Sequence, residues 1–124
     1  MVIAKNNNSF KLKRKIRDHG SAVRSVVFSP KNKRLLISGS WDKSIRVWNQ
    51  KSKKTIKILK GHSHGVITLN ISKYGDLLAS GSADKTIKLW NLDTLAETKT
   101  LSGHVSEVRS VGFSPDGKIL VSGS

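Results

Sequence analysis

Apolar residues in this chain fall in short clusters separated by polar turns. Val23–Ser29 is short and rich in β-branched residues, as a half-buried strand should be. Ser29-Pro-Lys-Asn-Lys33 then reads as a turn, with Pro30 presetting φ at its first central position. Leu35–Ser40 predicts a second strand and Ser44–Trp48 a third, with Trp41, Asp42 and Lys43 turning between them. On a two-residue turn, Ser38 would lie roughly opposite Val47, next to Trp48. Thr55–Leu59 predicts a fourth strand, after which Gly61-His62 opens a new unit. No stretch holds the 3.6-residue apolar period of a helix over ten residues.

The pattern then repeats. His19, His62 and His104 are spaced 43 and 42 apart, and Asp42/Asp84 and Trp48/Trp90 are each spaced 42. Val23-Arg-Ser-Val-Val-Phe-Ser-Pro30 returns as Val108-Arg-Ser-Val-Gly-Phe-Ser-Pro115, seven of eight identical. Gly39-Ser-Trp-Asp-Lys-Ser-Ile-Arg-Val-Trp-Asn49 returns as Gly81-Ser-Ala-Asp-Lys-Thr-Ile-Lys-Leu-Trp-Asn91, seven of eleven identical. The turn at Ser114-Pro-Asp-Gly-Lys118 is the cleaner copy of the first, because Gly117 takes positive φ without a Cβ penalty. A period of about 42 residues holding four short strands is a β-meander that stacks on its own copies.

The Gly-His pairs (Gly61-His62, Gly103-His104), the Ser-Gly-Ser-x-Asp runs and the Ile-x-x-Trp-Asn ends make the chain resemble the WD-repeat family from about residue 10 onward. Asn follows each tryptophan where the family usually has Asp, and Asp18-His19 stands where it has Gly-His. The resemblance implies an all-β fold: a partial β-propeller of four-stranded antiparallel blades, two complete and flanked by two half blades. The expected division is a half blade at 1–18, blades at 19–61 and 62–103, and a half blade at 104–124. Residues 1–19 align without a gap to 44–62, which reads 1–18 as the third and fourth strands of a preceding blade. Propellers typically close with about 4–8 blades. Two expectations follow: a segment of a longer propeller, or chains associating head to tail so that half blades complete each other.

His, Ser and Asp recur together in each unit, and alone they would suggest a hydrolase triad. A reactive centre has no reason to appear in every unit, so no enzyme is expected. By resemblance, His19, Ser38, Asp42 and Trp48 form an intrablade hydrogen-bond network, as do His62, Ser80, Asp84 and Trp90, with His104 and Ser122 beginning a third. Neither a metal nor a cofactor is expected. The chain has no cysteine, His62 and His64 lack a convergent third ligand, and no glycine-rich loop could cradle a phosphate.

The residues beside this network vary between copies and should face solvent at the histidine end: Ala22, Gly65 and Glu107; Arg24, Ile67 and Arg109; Trp41 and Ala83. Similar positions in the family commonly line a peptide-gripping face. Trp41 with Arg24 is the best candidate pair, since both types are enriched at interfaces. The alternative is that Trp41 packs on the neighbouring blade. A protein or peptide partner within a multi-subunit complex is therefore expected.

Charge adds a second expectation. The net charge of +15 arises wholly in residues 1–60, which hold 17 basic and 2 acidic residues; residues 61–124 hold 6 of each. Lys11, Lys13, Arg14, Lys15 and Arg17 fall on one outer strand, and Lys51, Lys53, Lys54, Lys57 and Lys60 on or beside the next. They read as a rim belt that discourages edge pairing, or that contacts RNA or another polyanion. Apolar residues make up 36% and charged residues 25%, which suits one globular domain. With no signal-like opening and no apolar run near a membrane span, the expected location is intracellular, cytoplasmic or nuclear.

Overall fold

The computed structural model describes residues 1–6 and 10–124. Every regular element among them is a strand. β1 (Val2–Asn6) and β2 (Phe10–Lys15) form a hairpin. β3 (Val23–Phe28), β4 (Leu35–Ser40), β5 (Ile45–Asn49) and β6 (Lys54–Leu59) form a four-stranded antiparallel meander. β7 (Val66–Ile71), β8 (Leu77–Ser82), β9 (Ile87–Asn91) and β10 (Ala96–Leu101) form a second. β11 (Ser110–Phe113) and β12 (Leu120–Gly123) close the order as a two-stranded sheet. This is a partial β-propeller. No helix is long and apolar enough to cross a membrane.

Alternation along the strands builds the core. Ile37, Ile45, Val47 and Leu59 of the first meander pack face to face with Val66, Leu69, Leu78, Trp90 and Leu92 of the second. Ala79 and Ile87 of the second meet Val108 and Val111 of the last sheet. Glycines set the distance between sheets. A Cβ on Gly39 would sit 2.8 Å from Val66 Cγ1, and one on Gly81 would sit 2.7 Å from Val108 Cγ1. Backbone-to-side-chain bonds cross the same seams: the Leu69 amide donates to Ser25 Oγ at 3.1 Å, and the Phe113 amide to Asn70 Oδ1 at 3.0 Å.

One register differs from expectation. Ser38 pairs with Arg46, and Val47 pairs with Ile37. The turn is longer by one residue: Ser40 and Ser44 flank Trp41, Asp42 and Lys43, and Lys43 takes a φ of 75°. Ser38 still meets Trp48, because residues two apart share a face. Its Oγ accepts from Trp48 Nε1 at 2.9 Å.

Successive turns alternate between the two ends of each sheet. The histidine loops and the β4–β5 and β8–β9 turns share one end. The β3–β4 and β5–β6 turns share the other.

Candidate functional site: the histidine end

At the histidine end the structure brings together one polar chain per meander. His19 Nδ1 lies 2.8 Å from Asp42 Oδ2 and Nε2 lies 2.7 Å from Ser38 Oγ. His62 repeats this with Asp84 at 2.7 Å and Ser80 at 2.7 Å, and Trp90 Nε1 donates to Ser80 Oγ at 2.9 Å. His104 Nε2 reaches Ser122 Oγ at 2.8 Å.

The charge state follows from the surroundings. Burial alone would push the Asp84 carboxyl up. Hydrogen bonds from the Thr86 hydroxyl, from His62 and from the Thr86 amide outweigh it and hold the group at about 2. Asp42 is held far below the carboxylate range in the same way: burial raises it, and bonds from the Ser44 hydroxyl, His19 and the Ser44 and Gly20 amides prevail. Burial keeps His62 below its ordinary value, against the pull of Asp84. His62 is therefore neutral beside an ionised carboxylate. Its Nδ1–H donates to Asp84, and its Nε2 accepts from the Ser80 hydroxyl.

The Ser80–His62–Asp84 distances match those of a nucleophile, base and orienter. The chemistry does not. Ser80 is 0% exposed, and its oxygen already accepts from an indole N–H. No substrate carbonyl can reach it. Among the described residues no group of three or more His, Cys, Asp or Glu could hold a metal.

The network is larger than the sequence reading made it. The Ser44 and Thr86 hydroxyls donate to Asp42 and Asp84, each at 2.6 Å. Ser40 and Ser82 accept the Asp42 and Asp84 amides, each at 3.0 Å. The signal was a hydroxyl two residues before and two residues after each aspartate, in both copies.

Around this frame lie the variable residues. Trp41 keeps 43% of its surface exposed. Its amide donates to the Ala22 carbonyl at 2.9 Å, and Arg24 Cζ lies 6.0 Å from its ring centroid. Gly65 does not face solvent as expected. It is buried beneath the Trp41 ring, and a Cβ there would sit 2.4 Å from Trp41 Cε3. Trp41 thus packs one side on the next blade and leaves the rest open. Ala22 and Arg24 are exposed, while Ile67 and Ala83 are half-buried. Glu107 and Arg109 pair with each other at 3.1 Å, some distance along the arc.

The basic residues lie elsewhere. Lys11, Lys13, Arg14 and Lys15 are on β2, with Arg17 just after it; Lys51 and Lys53 are in the β5–β6 turn; Lys54 and Lys57 are on β6, with Lys60 beyond. All but the half-buried Arg14 are exposed.

Stacked four-stranded meanders with a buried His-Ser-Asp-Trp chain in each define a propeller whose polar groups hold turns in place. The chain belongs to the WD domain, G-beta repeat family, which matches residues 10–49, 53–91 and 96–124. It is 39% identical over 61 residues to Polycomb protein esc of Drosophila melanogaster, covering 47% of this chain and 14% of that protein. It is 34% identical over 62 residues to the non-functional target of rapamycin complex subunit LST8-2 of Arabidopsis thaliana, covering 50% and 20%. It is 41% identical over 48 residues to the general transcriptional corepressor TUP1 of Saccharomyces cerevisiae, covering 39% and 7%. The aligned stretches span a fifth or less of the length of these relatives.

Proposed function

We propose that this chain is a non-enzymatic interaction scaffold that holds a peptide or protein partner on its histidine end, within a larger intracellular complex. The observation that carries the reading is Trp41. It is a large aromatic residue, open on one side, backed by Gly65 of the next blade and flanked by the Arg24 guanidinium. A pre-organised indole beside a cation loses little entropy on binding and buries much apolar area. Ala22 and Arg24 lie against it, and Ile67, Ala83, Glu107 and Arg109 would extend the face. The relatives named as a complex subunit and as a corepressor fit a partner-binding role. The His19 and His62 networks, with His104 and Ser122, would serve as the frame.

The experiment is a display selection of random peptides on the whole chain, followed by Trp41→Ala. Selected peptides should lose at least about 2 kcal/mol of affinity to the variant, the hot-spot range. The melting temperature should stay near that of the wild type. Unchanged affinity would remove Trp41 from the interface, and loss of folding would assign it to the core.

A second reading is an RNA contact along the basic rim, favoured by the exposure of nine of its ten residues. Phe10, 76% exposed, is the one aromatic residue in the β2 and β6 sequences, so binding would run through the backbone and weaken steeply with salt. RNA retention insensitive to salt would exclude it.

A further inference from the structure

We infer that the cavity between the β1–β2 hairpin and the far end of the first four-stranded blade is a binding site for a compact oligophosphate, a short chain of phosphate groups free in solution. This does not rest on the Trp41 reading, because the cavity opens at the end opposite the histidines.

The cavity measures about 400 Å³. Lys13 and Arg14 enter it from β2, Lys33 and Arg34 from the β3–β4 turn, and Lys51 and Lys53 from the β5–β6 turn. Among the described residues no acidic side chain lines it. Residues 1–60 contain only Asp18 and Asp42 as acids, and Asp42 is committed to His19 at the other end.

The next blade provides an internal comparison. In both β5–β6 and β9–β10 turns an asparagine side-chain oxygen accepts two amides, Asn49 from Lys51 and Ser52, Asn91 from Asp93 and Thr94. In both, the last turn residue has positive φ, 61° at Lys53 and 57° at Leu95. The backbone is shared and the chemistry is opposite. Asp93 stands where the first copy has Lys51, and it bridges its junction to Lys31 at 3.0 Å. Turn geometry therefore does not require lysine in the first copy.

The strands tell the same story. Lys88 Nζ donates to Glu97 and, at 2.8 Å, to Thr100. The corresponding positions in the first blade are Arg46 and Thr55, so the carboxylate is gone. Ile45 and Val47 face the second meander, which turns Arg46 toward the hairpin. Arg46 Nε, Thr55 Oγ1 and Arg14 Nε are buried without a hydrogen-bond partner among the described residues. Of the three residues only Arg14 lines the cavity, where an unpaired buried guanidinium N–H is costly unless an acceptor satisfies it.

Six cations in one concavity, two of them planar guanidinium forks, match closely spaced phosphates. Among the described residues the lining holds no aromatic side chain on which a base could stack, which favours a free oligophosphate over a nucleic acid. The ligand would also relieve the mutual repulsion of the lysines and stabilise the fold.

The test titrates the whole chain with sodium tripolyphosphate by calorimetry at physiological salt, with melting curves alongside. Arg34→Glu and Lys51→Glu remove cavity charge. Lys57→Glu and Lys60→Glu make the same change on the rim outside it. The expected result is saturable binding at one site and a melting temperature that rises with ligand. Affinity should fall about tenfold or more in each cavity variant and stay within about twofold in the rim variants. If Arg34→Glu does not fold, Lys33→Gln and Lys51→Gln, both at exposed turn positions, carry the same comparison. Equal losses in the rim variants would overturn the site and leave a diffuse charge effect. So would non-saturable binding, or single-stranded RNA displacing tripolyphosphate at equal phosphate concentration.

Discussion

At the scale of single residues the histidine end is a set of donors and acceptors with little surplus. Asp84 accepts from His62, from the Thr86 hydroxyl and amide, and from the Ser63 amide. Removing its carboxylate leaves the partly buried His62 and Thr86 donors unmet. Asp84→Ala should lower stability by about 1–3 kcal/mol, measured by denaturant unfolding, and Asp42→Ala should do the same. An unchanged unfolding midpoint would show that the chain of bonds contributes nothing net. The pH dependence has a definite sign. His62 binds its proton less readily folded than unfolded, so its contribution is complete above its ordinary pKa of 6.5 and declines as pH falls below it. Asp84 and Asp42 are also lowered, so theirs is complete above 3.8 and is lost on further acidification, for Asp84 through about 2. Melting temperature should therefore fall in two stages on acidification. His62→Gln should be less stable and lack the first stage; a first stage that persists would place it on another group.

At the scale of elements, blades are spaced by what is missing from Gly39 and Gly81. Either changed to Ala would press a methyl group into the valine of the next sheet at under 3 Å. Each substitution should cost about 1–3 kcal/mol through overpacking, read by thermal unfolding. A neutral result would mean that the sheets slide freely. The strands themselves were legible because each lies between turn signals and recurs at 42 residues. Their observed bounds fall within a residue of expectation in the first blade. The register of β4 on β5 was not legible. It depends on Lys43 adopting a left-handed conformation, for which the sequence offers neither Gly nor Asn. Gly65 was misjudged for a related reason: its burial under Trp41 depends on the distance between two blades, which no local pattern encodes. That Lys33 and Arg34 line one cavity with Lys13 and Arg14 likewise depends on a turn and a strand apart in sequence coming together.

At the scale of the molecule, four sheets form an arc whose inner members have four strands and whose outer members have two. The outer sheets leave apolar groups open, among them Leu12 on β2 and Val121 on β12. Chains that complete one another's outer sheets would double in mass as concentration rises, and light scattering reads this directly. A folded chain that stays monomeric at high concentration rules that arrangement out. The charge asymmetry belongs to this scale too. Six of the positive residues gather around the far-end cavity, while Arg24 lies beside Trp41, so binding at the histidine end should weaken with salt only as far as a single cation contributes. The most direct test of a binding face there is to follow backbone amide shifts while a Trp41-dependent peptide is added. The account predicts shifts grouped at Gly20–Arg24, Trp41–Lys43, His64–Ile67 and Ala83–Lys85, with β2, β6 and the far turns unmoved. Shifts centred on β2 and β6, or scattered over the whole chain, would contradict it.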